Sequence, residues 1–145
     1  MDITIREAIT NDYSDICRII NTSLGYPDVT LPALSERMAR MQANGNYFNL
    51  VATDGAEIVG FISVSQGIAV EIDGDYFRII ALAVDETHKR RGIGRALLAH
   101  MEQIAEIRGI RYFTLSSGFQ RTGAHAFYEQ NGYEKKSFAF SKGSK

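Results

Sequence analysis

Lys89, Arg90 and Arg91 stand directly before Gly92-Ile93-Gly94, and Arg95 follows at once. The first turn of a helix presents unpaired N–H groups and the positive end of the helix dipole. Glycine lets an anion approach that backbone without meeting a Cβ, and the four cations add charge around the same spot. These types and spacings suit a pyrophosphate. Taken alone, a Gly-x-Gly is more often a tight turn whose cations face water, so context decides. Two phosphate motifs are absent. A dinucleotide fingerprint requires a third glycine where Leu97 stands, and no Gly-Lys-Ser or Gly-Lys-Thr occurs for a Walker loop.

Such a turn needs a strand before it and a helix behind it. "YFRIIALAV", ending at Val84, is a nearly continuous apolar run of the kind found in central strands. Leu97, Met101, Ile104 and Ala105 form the buried stripe of a following helix, and Gly109 is its C-cap. Upstream, "DITIRE" alternates as a half-buried strand does. Tyr13, Ile16, Cys17, Ile20 and Leu24 make a helical stripe with Asn11 or Asp12 as N-cap, broken by Gly25, Tyr26 and Pro27. A second helix starts near Thr30, with Pro32 in its first turn and Leu34, Met38 and Met41 facing inward.

"YFNLVAT" and "EIVGFISVS" flank Asp54-Gly55, a strong hairpin signal, and Ile72 to Asp75 punctuates the approach to the central strand. "RYFTLSS" reads as a further strand, "TGAHAFYEQNG" as a helix ending at Gly132, and "YEKKSFAFSK" as a last strand with alternating aromatics. The expected order is β-α-α-β-β-β-α-β-α-β, one α/β domain over residues 1–145.

The balance of 16 Lys and Arg against 17 Asp and Glu leaves no basic excess, so a nucleic-acid partner is not expected. With one cysteine, Cys17, an intramolecular disulfide is impossible, and its place on a helical stripe reads as core. No run has the length of a membrane span, and the charged N-terminus is unlike a signal peptide. A cytoplasmic protein with no membrane partner is the expectation. His88, His100 and His125 share no metal-ligand spacing, so no metal site is expected.

"HKRRGIGRALL" after "IALAV", followed from Ala124 by "AHAFYEQNGY", resembles the GNAT N-acetyltransferase family. The family's phosphate loop reads Gln/Arg-x-x-Gly-x-Gly/Ala. Here Lys89 takes the first position, Gly92 the fourth and Gly94 the sixth, the lysine being a departure that keeps the charge. The resemblance implies a single-domain GNAT fold, a mixed and mostly antiparallel sheet flanked by helices. It also implies acetyl-coenzyme A as cosubstrate, bound where the fourth and fifth strands splay apart. The pantetheine arm then pairs with backbone of Leu82, Ala83 and Val84. The pyrophosphate sits on Lys89, Arg90, Arg91, Gly92, Ile93, Gly94 and Arg95. Tyr128 lies near the thioester sulfur and can protonate it. From its residue type alone, Tyr128 reads first as a core aromatic beside Phe127, and the resemblance is what makes it a site residue.

Many family members carry a glutamate base early in the fourth strand, where this chain has Arg78, which cannot accept a proton. Glu71, Asp73, Asp75 or a water chain remain as candidates. Tyr26, Glu71, Asp75 and Arg78 are the substrate-side candidates. Family members also often have asparagine where Arg121 stands. The acceptor implied is a small-molecule primary amine, on the likeness of the C-terminal stretch to members acting on aminoalkylphosphonates and aminoglycosides. Two alternatives stand beside it: a protein N-acetyltransferase, and a catalytically silent acetyl-coenzyme A-binding module. The alternating segment Ser137 to Lys142 leaves room for a homodimer through strand pairing.

Overall fold

The computed structural model describes residues 2–143. They fall into two compact units, the first running through Thr114 and the second starting at Leu115. The first unit is built on a sheet of five strands in the order β1-β2-β3-β4-β5: β1 (Ile3–Glu7), β2 (Tyr47–Asp54), β3 (Glu57–Ile68), β4 (Asp75–Val84) and β5 (Phe113–Thr114). The first four pair antiparallel, and β5 joins β4 in parallel. The sheet is thus mixed and mostly antiparallel, as expected.

The hairpin between β2 and β3 turns at Gly55, whose φ of 60° explains the glycine. Helix α1 (Tyr13–Thr22) and helix α2 (Leu31–Gln42) cross between β1 and β2. Thr30 caps α2, its hydroxyl accepting the Ala33 N–H at 3.4 Å. Asp12 precedes α1 as expected, but its carboxylate is used elsewhere: it takes Arg6 Nη1 at 2.7 Å, Arg6 Nη2 at 2.9 Å and the Ile9 amide at 2.8 Å. That fork ties β1 to the start of α1.

Ile16, Cys17, Ile19 and Ile20 of α1 and Leu34 and Met38 of α2 pack against Val51, Phe61 and Ala83 of the sheet. Cys17 is therefore core. Side chains alternate across a strand, so Gly60 turns to the opposite face from Phe61. There it meets helix α3 (Ile93–Arg108), whose Ile93, Leu97, Met101 and Ala105 are buried. Fully burying each such aliphatic side chain is worth about 1.5–3 kcal/mol. Gly109 ends α3 in the left-handed region at φ 74°, its N–H bonded to Ala105 O.

Helix α4 (Thr122–Gln130) belongs to the second unit. Two strand expectations differ. The run Arg111 to Ser117 pairs only at Phe113 and Thr114. Residues 133–143 carry no strand, and Phe138 and Phe140 are exposed at 72% and 94%. Alternation alone makes a strand only where a neighbour supplies hydrogen-bond partners, and none pairs with this segment among the described residues.

Candidate active site

β4 is paired with β3 along its whole length, from Ile68↔Asp75 to Gly60↔Val84. On its other edge only Phe77 and Arg78 have partners, Phe113 and Thr114. Beyond Arg78 that edge has no strand beside it among the described residues. The ladder also slips there. Ser63 pairs with Ala81 and Val64 with Ile79, so Ile80 is an extra residue bulged out of β4. A bulge bends a strand and redirects its backbone groups. Leu82, Ala83 and Val84 lie just after it, on a stretch whose free edge can take another extended chain.

β4 then runs into the glycine turn. Asp85 anchors the junction: its N–H donates to Val59 O at 2.9 Å, and its carboxylate accepts from Arg18 at 2.7 Å and from Thr87. The Thr87 hydroxyl, against the opposing effect of burial, and then His88 and Arg18 hold this carboxyl at about 2, below its ordinary 3.8. Val59 is itself the extra residue of a bulge in β3, since Ala52 pairs with Gly60 and Thr53 with Ile58.

A short 3-10 turn, Glu86–His88, follows. Arg90 has φ 65° and Gly92 φ 82°, both left-handed. For arginine that conformation costs about 1–3 kcal/mol, a kind of strain that clusters at binding sites. A left-handed residue leading into a right-handed helix turns successive N–H groups to one side, forming an anion-binding concavity. Gly92 caps α3 without a side-chain oxygen. The first bond of the helix is Ala96 N–H to Gly92 O at 3.0 Å, which leaves the amides of Ile93, Gly94 and Arg95 without a capping partner. Lys89 pairs with Glu86 at 3.0 Å. Arg90, Arg91 and Arg95 are exposed and make no ion pair among the described residues.

Leu82–Val84 and Lys89–Arg95 are therefore continuous, an unpaired strand edge leading to a cationic helix start. The other candidates lie apart from them. At a rise of about 3.3 Å per residue, Asp75 is roughly 20 Å along β4 from Leu82. It accepts from Gln66 Nε2 at 2.8 Å, while Glu71 is exposed in the β3–β4 turn. Arg78 is exposed and pairs in register with Ser65. Tyr26 is 59% exposed, beside an open cavity of about 450 Å³ that Asp28, Thr30 and Arg37 also line.

In the second unit Tyr128 stands on α4, its ring 5.4 Å from that of Phe127 and 5.6 Å from that of Tyr133. Burial pushes its phenol up, opposed by the charge of Arg121, so the hydroxyl keeps its proton at neutral pH. His125 pins the loop before α4 by donating Nε2–H to Gly118 O at 2.8 Å.

Sequence reading missed a polar pair on the sheet. Asn49 and Ser63 are register partners, and Asn49 Oδ1 and Ser63 Oγ are buried without a hydrogen-bond partner among the described residues. Ser63 is also the partner of Ala81, next to the bulge. A serine inside "GFISVS" was the one available signal, and it looked like ordinary strand alternation.

Comparison with known proteins gives the family and the fold. The model of the acetyltransferase (GNAT) family matches residues 7–133. The [ribosomal protein bS18]-alanine N-acetyltransferase of Escherichia coli K12 is 28% identical over 101 residues, 70% of this chain. The match spans 64% of that relative's length. An aminoglycoside acetyltransferase from an uncultured soil metagenomic sample superposes with a TM-score of 0.85 at 21% identity, covering 99% of this chain and 97% of the other. The PaiA N-acetyltransferase of Thermoplasma acidophilum, in complex with coenzyme A, gives 0.80 at 20% identity, covering 96% and 94%. These two likenesses are of fold. With the family model spanning most of its length, the chain belongs to the GNAT acetyltransferase family.

Proposed function

We propose that the chain transfers the acetyl group of acetyl-coenzyme A to a small-molecule primary amine by direct attack on the thioester. One observation carries the reading: the unpaired edge of β4 past Ile80 leads through left-handed Gly92 to uncapped amides of Ile93, Gly94 and Arg95. The edge offers amide partners to a pantetheine arm. The helix start, with Arg90, Arg91 and Arg95 in no ion pair among the described residues, offers charge and N–H groups to a pyrophosphate.

In the reaction the neutral amine attacks the acetyl carbon, and the oxyanion that forms is held by a backbone N–H of β4. The intermediate collapses, breaks the C–S bond and expels the thiolate. Tyr128 is assigned as its proton donor, on its place in the family motif and on its protonated hydroxyl, and the proton that the attacking nitrogen sheds as it becomes the amide restores the phenol through solvent. A thiol of pKa about 8.5 needs only modest help to leave. The amine must first lose its proton, since only on the order of one lysine-like amine in a thousand is neutral at pH 7. Asn49 Oδ1 and Ser63 Oγ are acceptor oxygens beside the bulge, suited to receive amine N–H groups. Arg78, exposed on β4, favours an acceptor bearing a carboxylate or phosphonate over a polyamine.

The test is thiol release from acetyl-coenzyme A across amino acids, aminophosphonates, aminoglycosides, polyamines and an N-terminal-alanine peptide. Release with the anionic small amines supports the reading. Release with the peptide alone reassigns the acceptor. Tight coenzyme binding without release from any amine favours the silent binding module, which the absence of an acid at Arg78 also favours.

A further inference from the structure

The environment of His88 is short of positive charge. Nδ1 of its ring lies 3.1 Å from Asp85 Oδ2 and 2.9 Å from Thr87 Oγ1. Nε2 has no hydrogen bond among the described residues and faces Asp54 Oδ2 at 3.8 Å and Glu57 Oε2 at 3.9 Å. The His88 side chain is 10% exposed. Arg18 answers the charge of Asp85. Asp54 takes the Asp2 amide at 3.2 Å, but neither it nor Glu57 pairs with a cation other than this imidazole among the described residues. The two acids are register partners at the end of the β2–β3 hairpin, where like charges directly opposite are destabilising.

We propose that Asp54, Glu57 and His88 form a binding site for a divalent transition-metal ion, zinc above all, with Asp85 as the positioning residue for the imidazole. A carboxylate on Nδ1–H fixes the tautomer and turns the Nε2 lone pair outward, the arrangement that accompanies most histidine ligands of metals. Zinc binds imidazole nitrogen and carboxylate oxygen at about 2.0–2.2 Å, so donors up to about 4.3 Å apart can share one ion. Both separations from the imidazole fall within that reach. The donor atoms that already lie within 4.8 Å of one another are those of Glu57, Asp85 and His88, so Asp54 joins them on one ion through a rotation of its own side chain or that of Glu57. Glu57, with a 59% exposed side chain, supplies the adjustment and the way in. One imidazole and two carboxylates select zinc over calcium or magnesium, which prefer all-oxygen sites. The ion neutralises the facing acids and clamps the hairpin turn at Gly55 to the 3-10 turn before Lys89. Histidine spacing along the chain gave no sign of it, because the ligands come from a hairpin and a turn some thirty residues apart.

The test is calorimetric titration of chelator-stripped full-length protein with zinc chloride, with thermal unfolding as second readout. The parent should bind one ion per chain in the micromolar range, and zinc at about 100 times Kd should raise the unfolding midpoint by several degrees. Glu57→Gln and Asp54→Asn, both at partly exposed positions, should each weaken binding at least tenfold, and His88→Gln should abolish it. Magnesium should give no saturable heat. No saturable zinc binding below about 100 µM overturns the proposal. So does unchanged affinity in Glu57→Gln, which would put the ion on His100 or His125.

Discussion

Gly60 on β3 and Ile93 in the first turn of α3 touch so closely that a Cβ on Gly60 would lie 2.9 Å from Ile93 Cγ2. It would also lie 3.1 Å from Leu97 Cδ1. Gly60 is the register partner of Val84, the last residue of β4. One missing side chain thus seats the helix start against the strand that leads to it.

Gly60→Ala should therefore disturb more than packing. Ile93 is buried and β-branched, so its methyl has little room to yield. Overpacking of this kind costs about 1–3 kcal/mol. Urea unfolding should show that loss, and calorimetry should show weaker acetyl-coenzyme A binding by the folded variant. A stable variant with parental coenzyme affinity would mean that the close approach does not set the seat.

Tyr128→Phe should lower turnover by roughly 10²–10⁴-fold while leaving the KM for acetyl-coenzyme A nearly unchanged. A packing role alone would move unfolding and leave kcat in place. The pH profile separates the two. If the phenol donates, the alkaline limb of kcat in the parent lies above the ordinary tyrosine value of 10.0, in the direction burial shifts it, and disappears in the variant.

Asp85 makes stability depend on acid. Its carboxyl is held at about 2 against an ordinary 3.8, so folding favours the charged form. The resulting stabilisation, about 2 kcal/mol, is fully present above the ordinary value and is lost as pH falls toward the folded one. Asp12, lowered by Arg6, shifts in the same direction. Urea unfolding between about pH 6 and about pH 2.5 should show the parent losing its advantage over Asp85→Asn. A gap constant over that range would contradict the assignment.

Much of this architecture was legible because it is local. Thr30 and Pro32 announced α2, Asp54-Gly55 announced its hairpin, and Gly109 marked the end of α3. The glycine turn was legible for the same reason, since its cations and glycines are consecutive. What stayed hidden depends on partners distant in sequence. The ion pair of Arg18 with Asp85 spans 67 residues, and the bulge at Ile80 exists only relative to β3. The left-handed Arg90 has no residue signature, because arginine rarely adopts that conformation. The segment after Tyr133 had strand-like alternation but no neighbouring strand to complete it among the described residues.

The central claim is that the Gly92-Ile93-Gly94 turn holds the pyrophosphate of acetyl-coenzyme A, and Gly94→Asp tests it most directly. An acid in the first turn suits the helix dipole, so the variant should fold as well as the parent. The same charge repels a phosphate. Calorimetric titration should give saturable acetyl-coenzyme A binding by the parent and affinity lower by about tenfold or more, some 1.4 kcal/mol, in the folded variant. Equal affinity in the two proteins, or no binding by the parent, would contradict the account.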